Sequence, residues 1–218
     1  MNGSFILCGF ALDSLTVRNE FTNSILANQA LFGLEIPEDA IERLADYHAI
    51  IVEHNPILHL VGPCTPAEFA TRHILESLTM AKYLPNGAKF ADIGSGGGLP
   101  AKPCLLVRED LRAMLIESKE KKTKFLDYAI AKLGLEKRTR VVNKQFPEVD
   151  PIGCESVTCR ALDKFTEKLP SIVRWKLRRQ LLFFGGPNLR DALNAQKLTF
   201  VEKLMPLSEQ RYLFVVNR

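Results

Sequence analysis

A glycine-rich stretch and two acidic residues are the features of this sequence best suited to binding a ligand. In the stretch FADIGSGGGLP, an apolar run ends at Asp92 and four glycines follow, at positions 94, 96, 97 and 98. Glycine has no Cβ and adopts positive φ, so the backbone can turn sharply and approach a ligand. Glu117 follows the next apolar run, where an acid in a doubly wound fold accepts hydrogen bonds from ribose hydroxyls. The pattern predicts a nucleoside site at a strand-to-helix turn.

The spacing of the glycines distinguishes two classes of nucleoside ligand. A dinucleotide site needs Gly-x-Gly-x-x-Gly, because the pyrophosphate rests on the helix N-terminus, yet counting from Gly94 the third position holds Leu99. S-Adenosylmethionine carries no phosphate and requires only that the backbone make room for its methionine end. The loop therefore predicts a methyl-donor site. Two plainer interpretations stay open: a tight turn that merely collects glycines, and a Glu117 that only favours the dipole of the next helix.

The residues after the predicted fourth strand bear on the reaction. Methylation at pyrimidine C5 needs a cysteine nucleophile, often after Pro, but the Pro-Cys pairs at 63–64 and 103–104 do not follow that strand, and Cys159 lacks the Pro. Amino-group methyltransferases commonly carry an Asn- or Asp-Pro-Pro-aromatic element there, whereas this chain reads Arg160-Ala161-Leu162. We therefore expect an acceptor that needs no deprotonation, and we assign no general base.

Short apolar runs that alternate with helical patterns must position these residues. Strands are predicted at 89–93, 113–116, 140–142, 156–159, 180–184, 200–204 and 212–216. This alternation predicts a mostly parallel sheet with helices on both faces, and the last two strands predict an antiparallel hairpin. We expect an α/β fold with a Rossmann-like, seven-stranded sheet of the class I methyltransferase type.

The sequence also suggests how the chain is divided. Residues 1–35 show no sustained period and are interpreted as a loosely structured or partly helical leader, residues 36–84 as an N-terminal helical region, and residues 85–218 as the donor-binding domain. Thr65 and Glu68 form a capping box around Pro66, which predicts a helix that stops before Pro85. The lysine-rich stretch KEKKTKFLDYAIAKLGL predicts a helix that closes on Gly134.

The composition is that of an ordinary globular protein with a slight positive charge. The 218 residues are 46% hydrophobic and carry a formal net charge of +4, which permits a polyanionic partner without requiring one. The five cysteines show no CxxC spacing, so we expect a reducing compartment, no disulfide framework and no metal site. No apolar run reaches the roughly 20 residues of a membrane helix, and the opening residues lack a signal-peptide pattern. We expect a cytoplasmic protein that does not enter a membrane.

Several motifs occur together in the order of a known family. TRHILESL, FADIGSGGGLP, LIESKEKKTKFL, VVNKQF and VTCRAL follow one another along the chain. In this order and spacing they resemble the RsmG (GidB) family of ribosomal RNA guanine-N7 methyltransferases. The resemblance spans roughly residues 37 to 216, and the Arg-His pair and the lysine-rich turn make it specific.

The resemblance implies a set of site residues. The donor pocket would be formed by Asp92, Gly94, Ser95, Gly96, Gly98, Leu99, Glu117, Gln145, Phe146 and Arg160. Gln145 and Phe146 would lie over the adenine, and Arg160 would reach toward the donor or the target base. The alternative for Arg160 is an ion pair with Glu117 or Asp92. Arg72 and His73 match a family pair that faces the site from the N-terminal helices, although His73 beside apolar residues is also typical of a packed core histidine.

The chain departs from the family pattern at four places, one of which is His59-Leu60-Val61 where the family more often has Asn-Leu-Thr. The family usually has a small residue and Glu where Gln145-Phe146 stand, so adenine recognition here would rely on stacking. It tends to have Gly where Ala101 stands. It also has a Lys-Gly pair after the fifth strand, where this chain reads Phe183-Phe184-Gly185-Gly186. The missing lysine concerns the acceptor side of the site more than the fold or the donor.

The resemblance implies S-adenosylmethionine as the donor and 16S ribosomal RNA as the partner, naked or within the small ribosomal subunit, with the protein acting as a monomer. Two basic patches could contact phosphates, or could be solvated helix faces. They consist of Lys119, Lys121, Lys122 and Lys124, and of Arg174, Lys176, Arg178 and Arg179. Two other functions stay open: the same donor with a different RNA position or a small-molecule acceptor, and a nonenzymatic nucleoside- or RNA-binding module.

Overall fold

A computed structural model describes residues 4–175 and 179–217 of the chain. Its centre is a seven-stranded sheet in the order β3-β2-β1-β4-β5-β7-β6. The strands are β1 (Lys89–Ile93), β2 (Arg112–Ile116), β3 (Thr139–Val142), β4 (Ser156–Arg160), β5 (Gln180–Gly185), β6 (Phe200–Leu204) and β7 (Tyr212–Val216). The first five strands run parallel, and β7 pairs antiparallel with both β5 and β6. The predicted sheet and its closing hairpin are confirmed.

Helices flank this sheet and precede it. They span Ser4–Asn28, Glu38–Leu58, Ala101–Val107, Glu120–Lys132, Phe165–Trp175 and Pro187–Ala195, with a further helical stretch at 66–83 and short 3-10 turns at Gln29–Phe32 and Phe146–Glu148. The predicted capping box is present, since Thr65 Oγ1 accepts from Glu68 N at 3.1 Å and Glu68 Oε2 accepts from Thr65 N at 3.0 Å. Gly134 follows the lysine-rich helix with φ of +66°. None of the helices in the described ranges combines the length and apolar character needed to cross a membrane.

The first helix lies in the segment for which the sequence predicts a loosely structured or partly helical leader. Its apolar residues are not confined to one face, so the sequence shows no amphipathic period there. Phe21 and Ile25 are nevertheless fully buried, and the Phe21 ring stacks on His48 at 4.7 Å. Arg18 donates to Asp46 at 2.8 Å. Residues 18–25 therefore pack on the helix Glu38–Leu58, which local periodicity could not predict.

The strand order places the predicted site residues at one edge of the sheet. The chain runs outward from β1 through β2 to β3 and then returns to pair β4 with the other side of β1. Ile93 is level with Ile116 of β2 and with Cys159 of β4. The glycine loop, Glu117 and Arg160 therefore begin at the same level, at the switch point where parallel α/β sheets bind ligands.

The two faces of the sheet carry separate parts of the core. Strand residues alternate between faces, so Phe90 packs with the N-terminal helices and Ala101–Val107, whereas Ala91 packs with Phe165–Trp175 and Pro187–Ala195. The N-terminal helices thus share one continuous core with the sheet. This packing brings the helical stretch 66–83 over the carboxyl end of β4.

Candidate functional site

A cavity of about 550 Å³ opens at the carboxyl ends of β1, β2 and β4. It is lined by nine of the predicted site residues: Gly94, Ser95, Gly96, Leu99, Glu117, Gln145, Phe146, Arg160 and His73. The other three, Asp92, Gly98 and Arg72, lie outside this lining. Residues that are widely separated in the sequence, from His73 to Arg160, therefore line the same cavity.

Hydrogen bonds hold the glycine loop in place from two sides. The Tyr47 hydroxyl, from the helix Glu38–Leu58, donates to the Gly97 carbonyl at 2.9 Å in a buried position. Gly96 N donates to Glu117 Oε2 at 3.0 Å. A Cβ on Gly96, whose φ is +52°, would come no closer than 3.7 Å to any residue beyond its chain neighbours. The space in front of this backbone is therefore open, and a ligand can approach it.

Gly98 is a glycine because of packing behind the loop. Its φ is +95°, and a Cβ there would lie 2.5 Å from Lys102 Cδ. The Lys102 side chain is fully buried, with Nζ 4.8 Å from the centre of the Phe125 ring. Gly98 therefore supports the loop from behind and lies outside the cavity lining, and its predicted role in donor binding remains a prediction.

Backbone amides of the protein itself orient the Glu117 carboxylate. Its carboxylate is nearly buried, and it accepts from Gly96 N at 3.0 Å and from Lys119 N at 2.9 Å. Each carboxylate oxygen has two lone pairs, so both oxygens can accept a further hydrogen bond. The two neighbouring hydroxyls of a ribose could donate one hydrogen bond to each of these oxygens.

Asp92 lies beneath the loop. It is fully buried, and its Oδ1 accepts from the Thr158 hydroxyl of the neighbouring strand β4 at 2.7 Å. Burial raises the pKa of Asp92 to about 7, although the hydrogen bonds of Thr158 and Ser95 oppose the shift. Its Oδ2 has no hydrogen-bond partner in the described part of the chain. The predicted role of Asp92 as a donor-pocket residue remains a prediction.

The helical stretch 66–83 presents His73 to the cavity. Its middle, Phe69–Leu75, is a π-helix, an irregularity that often marks functional sites. Burial lowers the pKa of His73 to about 4, and the neighbouring Arg160, Arg72 and Arg211 lower it further. His73 is therefore neutral near pH 7. The Arg72 side chain turns away to Glu68, with 3.1 Å between Nη1 and Oε1.

Arg160 is fixed in the wall of the cavity. Its Nη2 donates to the Arg72 carbonyl at 2.7 Å and to Glu76 Oε2 at 3.0 Å. The guanidinium lies over the Phe184 ring at 5.3 Å. The ion-pair partner is thus Glu76, in place of the Glu117 or Asp92 that the sequence suggested. Arg160 Nη1 is buried and has no hydrogen-bond partner among the residues described.

An aromatic pair and four lysines complete the cavity. Phe146 packs edge-on against Trp175, with 5.6 Å between the ring centres. The lining lysines are Lys119, Lys122, Lys144 and Lys168. Two of these belong to the first predicted basic patch, whereas Lys121 is not in the lining and the exposed Lys124 pairs with Glu120 at 2.7 Å. These lysines give the lining of the cavity a positive charge.

The second predicted basic patch is divided by the structure. Arg174 is exposed, while Lys176 and Arg178 lie outside the described residues. Arg179 is anchored to backbone, donating from Nε to the Cys154 carbonyl at 2.9 Å and from Nη2 to that of Pro151 at 3.2 Å. Arg179 therefore holds a loop and is less suited to phosphate binding.

Three of the cysteines that the structure describes have surroundings unsuited to nucleophilic catalysis. Cys104 and Cys159 are fully buried, and burial raises the pKa of both thiols. Cys64 is half-buried, and burial raises the pKa of its thiol as well. The described residues contain no group of three or more His, Cys, Asp or Glu arranged to hold a metal ion.

Sequence reasoning missed four residues that shape the site. They are Tyr47, Glu76, Lys102 and Arg211. Glu76 stands four residues after Arg72, so helical spacing could have placed it on the same face. The other three carry no sequence signal, because their contacts depend on how distant elements pack.

The amino-acid sequence is similar to that of a known protein family. Residues 40–209 match a family model described as rRNA small subunit methyltransferase G. The chain is 35% identical over 150 residues to ribosomal RNA small subunit methyltransferase G of Sorangium cellulosum, covering 66% of this chain and 63% of that protein. It is 34% identical over 149 residues to the protein of the same name from Neisseria meningitidis serogroup C, covering 68% and 70%.

Solved structures share the fold. The TrmK structure of M. capricolum, in complex with S-adenosyl-homocysteine, superposes with a TM-score of 0.52 at 17% identity, covering 65% of this chain and 67% of that one. At this identity the likeness concerns the fold, which is that of a Rossmann-like methyltransferase.

Proposed function

The chain belongs to the rRNA small subunit methyltransferase G family, and from this premise we propose that it transfers a methyl group from S-adenosylmethionine to N7 of a guanine in 16S ribosomal RNA. One observation carries the proposal. The open glycine loop and the ribose-type acid Glu117 line the same cavity and are joined by the 3.0 Å hydrogen bond from Gly96 N to Glu117 Oε2.

The residues around the cavity fit the proposed donor. The two free lone pairs of Glu117 suit ribose hydroxyls, and Phe146 offers an aromatic surface for an adenine. The open space before Gly96 suits the methionine end. When bound, the donor supplies a methyl carbon on sulfonium: the N7 lone pair forms the new C–N bond, the C–S bond breaks, and its electron pair stays on sulfur as a neutral thioether.

The acceptor side fits a nitrogen that carries no proton. Guanine N7 has a free lone pair, so no base is needed and the protein contributes mainly by positioning. His73 is neutral near pH 7 and Arg160 presents an unpartnered Nη1, so both can hydrogen-bond a base edge. The buried thiols of Cys104 and Cys159 offer no nucleophile.

Ribosomal RNA as partner is supported by the lysines around the cavity. Four lysines from the segments after β2, β3 and β4 can neutralise phosphates of a structured RNA. We also propose that the enzyme acts as a monomer in the cytoplasm, on naked 16S RNA or on the small subunit. We further propose the division into a leader at 1–35, a helical region at 36–84 and a donor-binding domain at 85–218.

Methyl transfer to RNA from a bacterial strain that lacks this family's methyltransferase tests the proposal. Purified 16S RNA and small subunits are incubated with labelled S-adenosylmethionine, and N7-methylguanine is mapped by chemical cleavage. We expect one N7-methylguanine in at least one of the two substrates. Absence of transfer to both, with the donor bound, would favour a nonenzymatic binding module and refute the proposal.

A second candidate keeps the donor and changes the acceptor. It is favoured by the sequence Phe183-Phe184-Gly185-Gly186, because the family pattern has a lysine there and Phe184 underlies Arg160. Methylation at another RNA atom, or of a small molecule in place of RNA, is the expected result for this candidate. Label in RNA without N7-methylguanine would indicate another RNA atom. Absence of label from both RNAs is also the result expected for a small-molecule acceptor, which differs from a nonenzymatic module in consuming S-adenosylmethionine when that acceptor is present.

A further inference from the structure

Glu76 is a buried carboxylate shared by two arginines above the cavity. The residue is 1% exposed and lies in the helical stretch 66–83. Its Oε2 accepts from Arg160 Nη2 at 3.0 Å, and its Oε1 accepts from Arg211 Nε at 2.6 Å. Arg160 ends β4, and Arg211 immediately precedes β7. One carboxylate therefore links three elements that are distant in the sequence.

Stability alone is a weak explanation for this cluster. Removing charges from water is costly, and buried ion pairs often stabilise a fold no better than apolar residues of similar size. With one carboxylate between two guanidinium groups, the cluster also retains a net positive charge. The arrangement does, however, determine where the Arg160 guanidinium lies.

The contacts of Arg160 leave its Nη1 available. Nη2 is engaged by the Glu76 carboxylate and the Arg72 carbonyl, and the Phe184 ring covers the guanidinium. Nη1 has no hydrogen-bond partner in the described ranges, although Arg160 lines the cavity. A buried donor without an acceptor is costly unless a ligand supplies one.

We propose that Glu76 is a positioning residue for methyl transfer, which holds Arg160 so that its Nη1 donates to the acceptor base. This rests on the proposed function. The base edge that carries guanine N7 also carries the acceptor O6, to which arginine commonly donates. Adenine presents an amino group at that place, so the same Nη1 favours guanine.

The carboxylate also has an electrostatic part in the reaction. Methylation at N7 leaves the base with a positive charge, and a nearby unpaired guanidinium would oppose that charge. Glu76 offsets part of the positive charge of the two arginines, and the neutral His73 adds none. The half-exposed Arg211 binds the second oxygen of the Glu76 carboxylate.

Glu76→Gln tests the role, because it keeps the shape and removes the charge that holds both arginines. We expect kcat/KM for RNA to fall about 100-fold, as for other losses of alignment, while the affinity for S-adenosylhomocysteine measured by calorimetry is unchanged. The double variant with Arg160→Gln should be no worse than Arg160→Gln alone, since Glu76 acts through Arg160. Losses that multiply in the double variant, or a matching loss of donor affinity, would overturn the proposal.

Glu202→Gln is the matched control. Glu202 also pairs with an arginine, Arg190, at 2.5 Å and 3.1 Å, but on β6 at the sheet edge. We expect wild-type activity from it. If Glu76→Gln does not fold, Arg211→Gln opens the cluster from its exposed side and should still lower kcat/KM with donor affinity retained. Wild-type activity in Arg211→Gln would then overturn the proposal.

A measurement without turnover separates this inference from the proposed function. In arginine side-chain NMR of the wild type, the guanidinium protons of Arg160 and Arg211 should exchange slowly and become fast in Glu76→Gln. Slow exchange in a protein that methylates no RNA would refute the proposed function and leave the positioning of Arg160 intact. Exchange in the wild type as fast as for the exposed Arg174 would overturn the positioning role itself.

Discussion

Replacing Glu117 by glutamine should weaken donor binding more than any other single change of similar size. The carboxylate accepts from two backbone amides, at 3.0 Å from Gly96 and 2.9 Å from Lys119, and is expected to accept from two ribose hydroxyls. Glutamine keeps one acceptor oxygen, but its amide nitrogen must face one of the two backbone N–H groups. The loop is therefore perturbed together with the ribose contacts.

The expected loss follows from the hydrogen bonds. Bonds to a charged group contribute about 1.5–3 kcal/mol and neutral ones about 0.5–1.5 kcal/mol, so weakening two ribose contacts and losing one loop contact costs about 2–3 kcal/mol. That corresponds to an affinity about 30- to 150-fold weaker. Calorimetric titration with S-adenosylhomocysteine measures it directly.

Glu120→Gln is the control for this prediction. Glu120 is an exposed acid three residues further on, paired with Lys124 at 2.7 Å and absent from the cavity lining. Its replacement should leave the affinity unchanged. If Glu117→Gln and Glu120→Gln bound S-adenosylhomocysteine equally well, and as tightly as wild type, the assignment of Glu117 to the ribose would be refuted.

Three further predictions concern buried groups behind the glycine loop. Burial raises the pKa of Asp92 from 3.8 to about 7, so the folded protein keeps a proton that the unfolded chain loses. The stability gain of Asp92→Asn should therefore widen by up to about 1.4 kcal/mol per pH unit from pH 4 to 7 in thermal unfolding, and a constant difference would contradict this. Burial lowers the pKa of Lys102 from 10.5 to about 7. Lys102→Met should be more stable than wild type below pH 7, with an advantage that shrinks as the pH rises toward 10; a lower melting temperature at pH 6 would argue against it. Tyr47→Phe leaves the buried Gly97 carbonyl without its donor and should cost about 1–3 kcal/mol in urea unfolding, whereas the exposed Tyr128→Phe should be neutral and equal effects would exclude the role given to Tyr47.

Much of the fold could be predicted from local patterns. Every predicted strand lies within one residue of the observed one at either end, because buried strands are short apolar runs bounded by turn residues. The capping box at Thr65 was equally visible, since its two hydrogen bonds join residues three apart. The helix Ser4–Asn28 has no such local signal, because only packing against other helices shows which of its apolar residues are buried.

The sequence also predicts some features of the site, while others depend on the tertiary structure. The glycine loop and Glu117 could be recognised in the sequence, because turn geometry and the end of a strand depend on neighbouring residues. The sequence could not show which of the motif residues line the cavity. Asp92 and Gly98 belong to the motif, yet Asp92 faces Thr158 and Gly98 faces Lys102, both behind the loop.

The sequence by itself therefore determined the order of the elements, the sheet and the loop that turns toward a ligand. The tertiary structure decided the ionic partners. Arg160 pairs with a carboxylate 84 residues away, and Arg211 with the same carboxylate across 135 residues. No local period encodes such pairs, because any acid of suitable reach can satisfy a guanidinium. Only the packing of the helical stretch 66–83 over β4 and the closing hairpin selects Glu76.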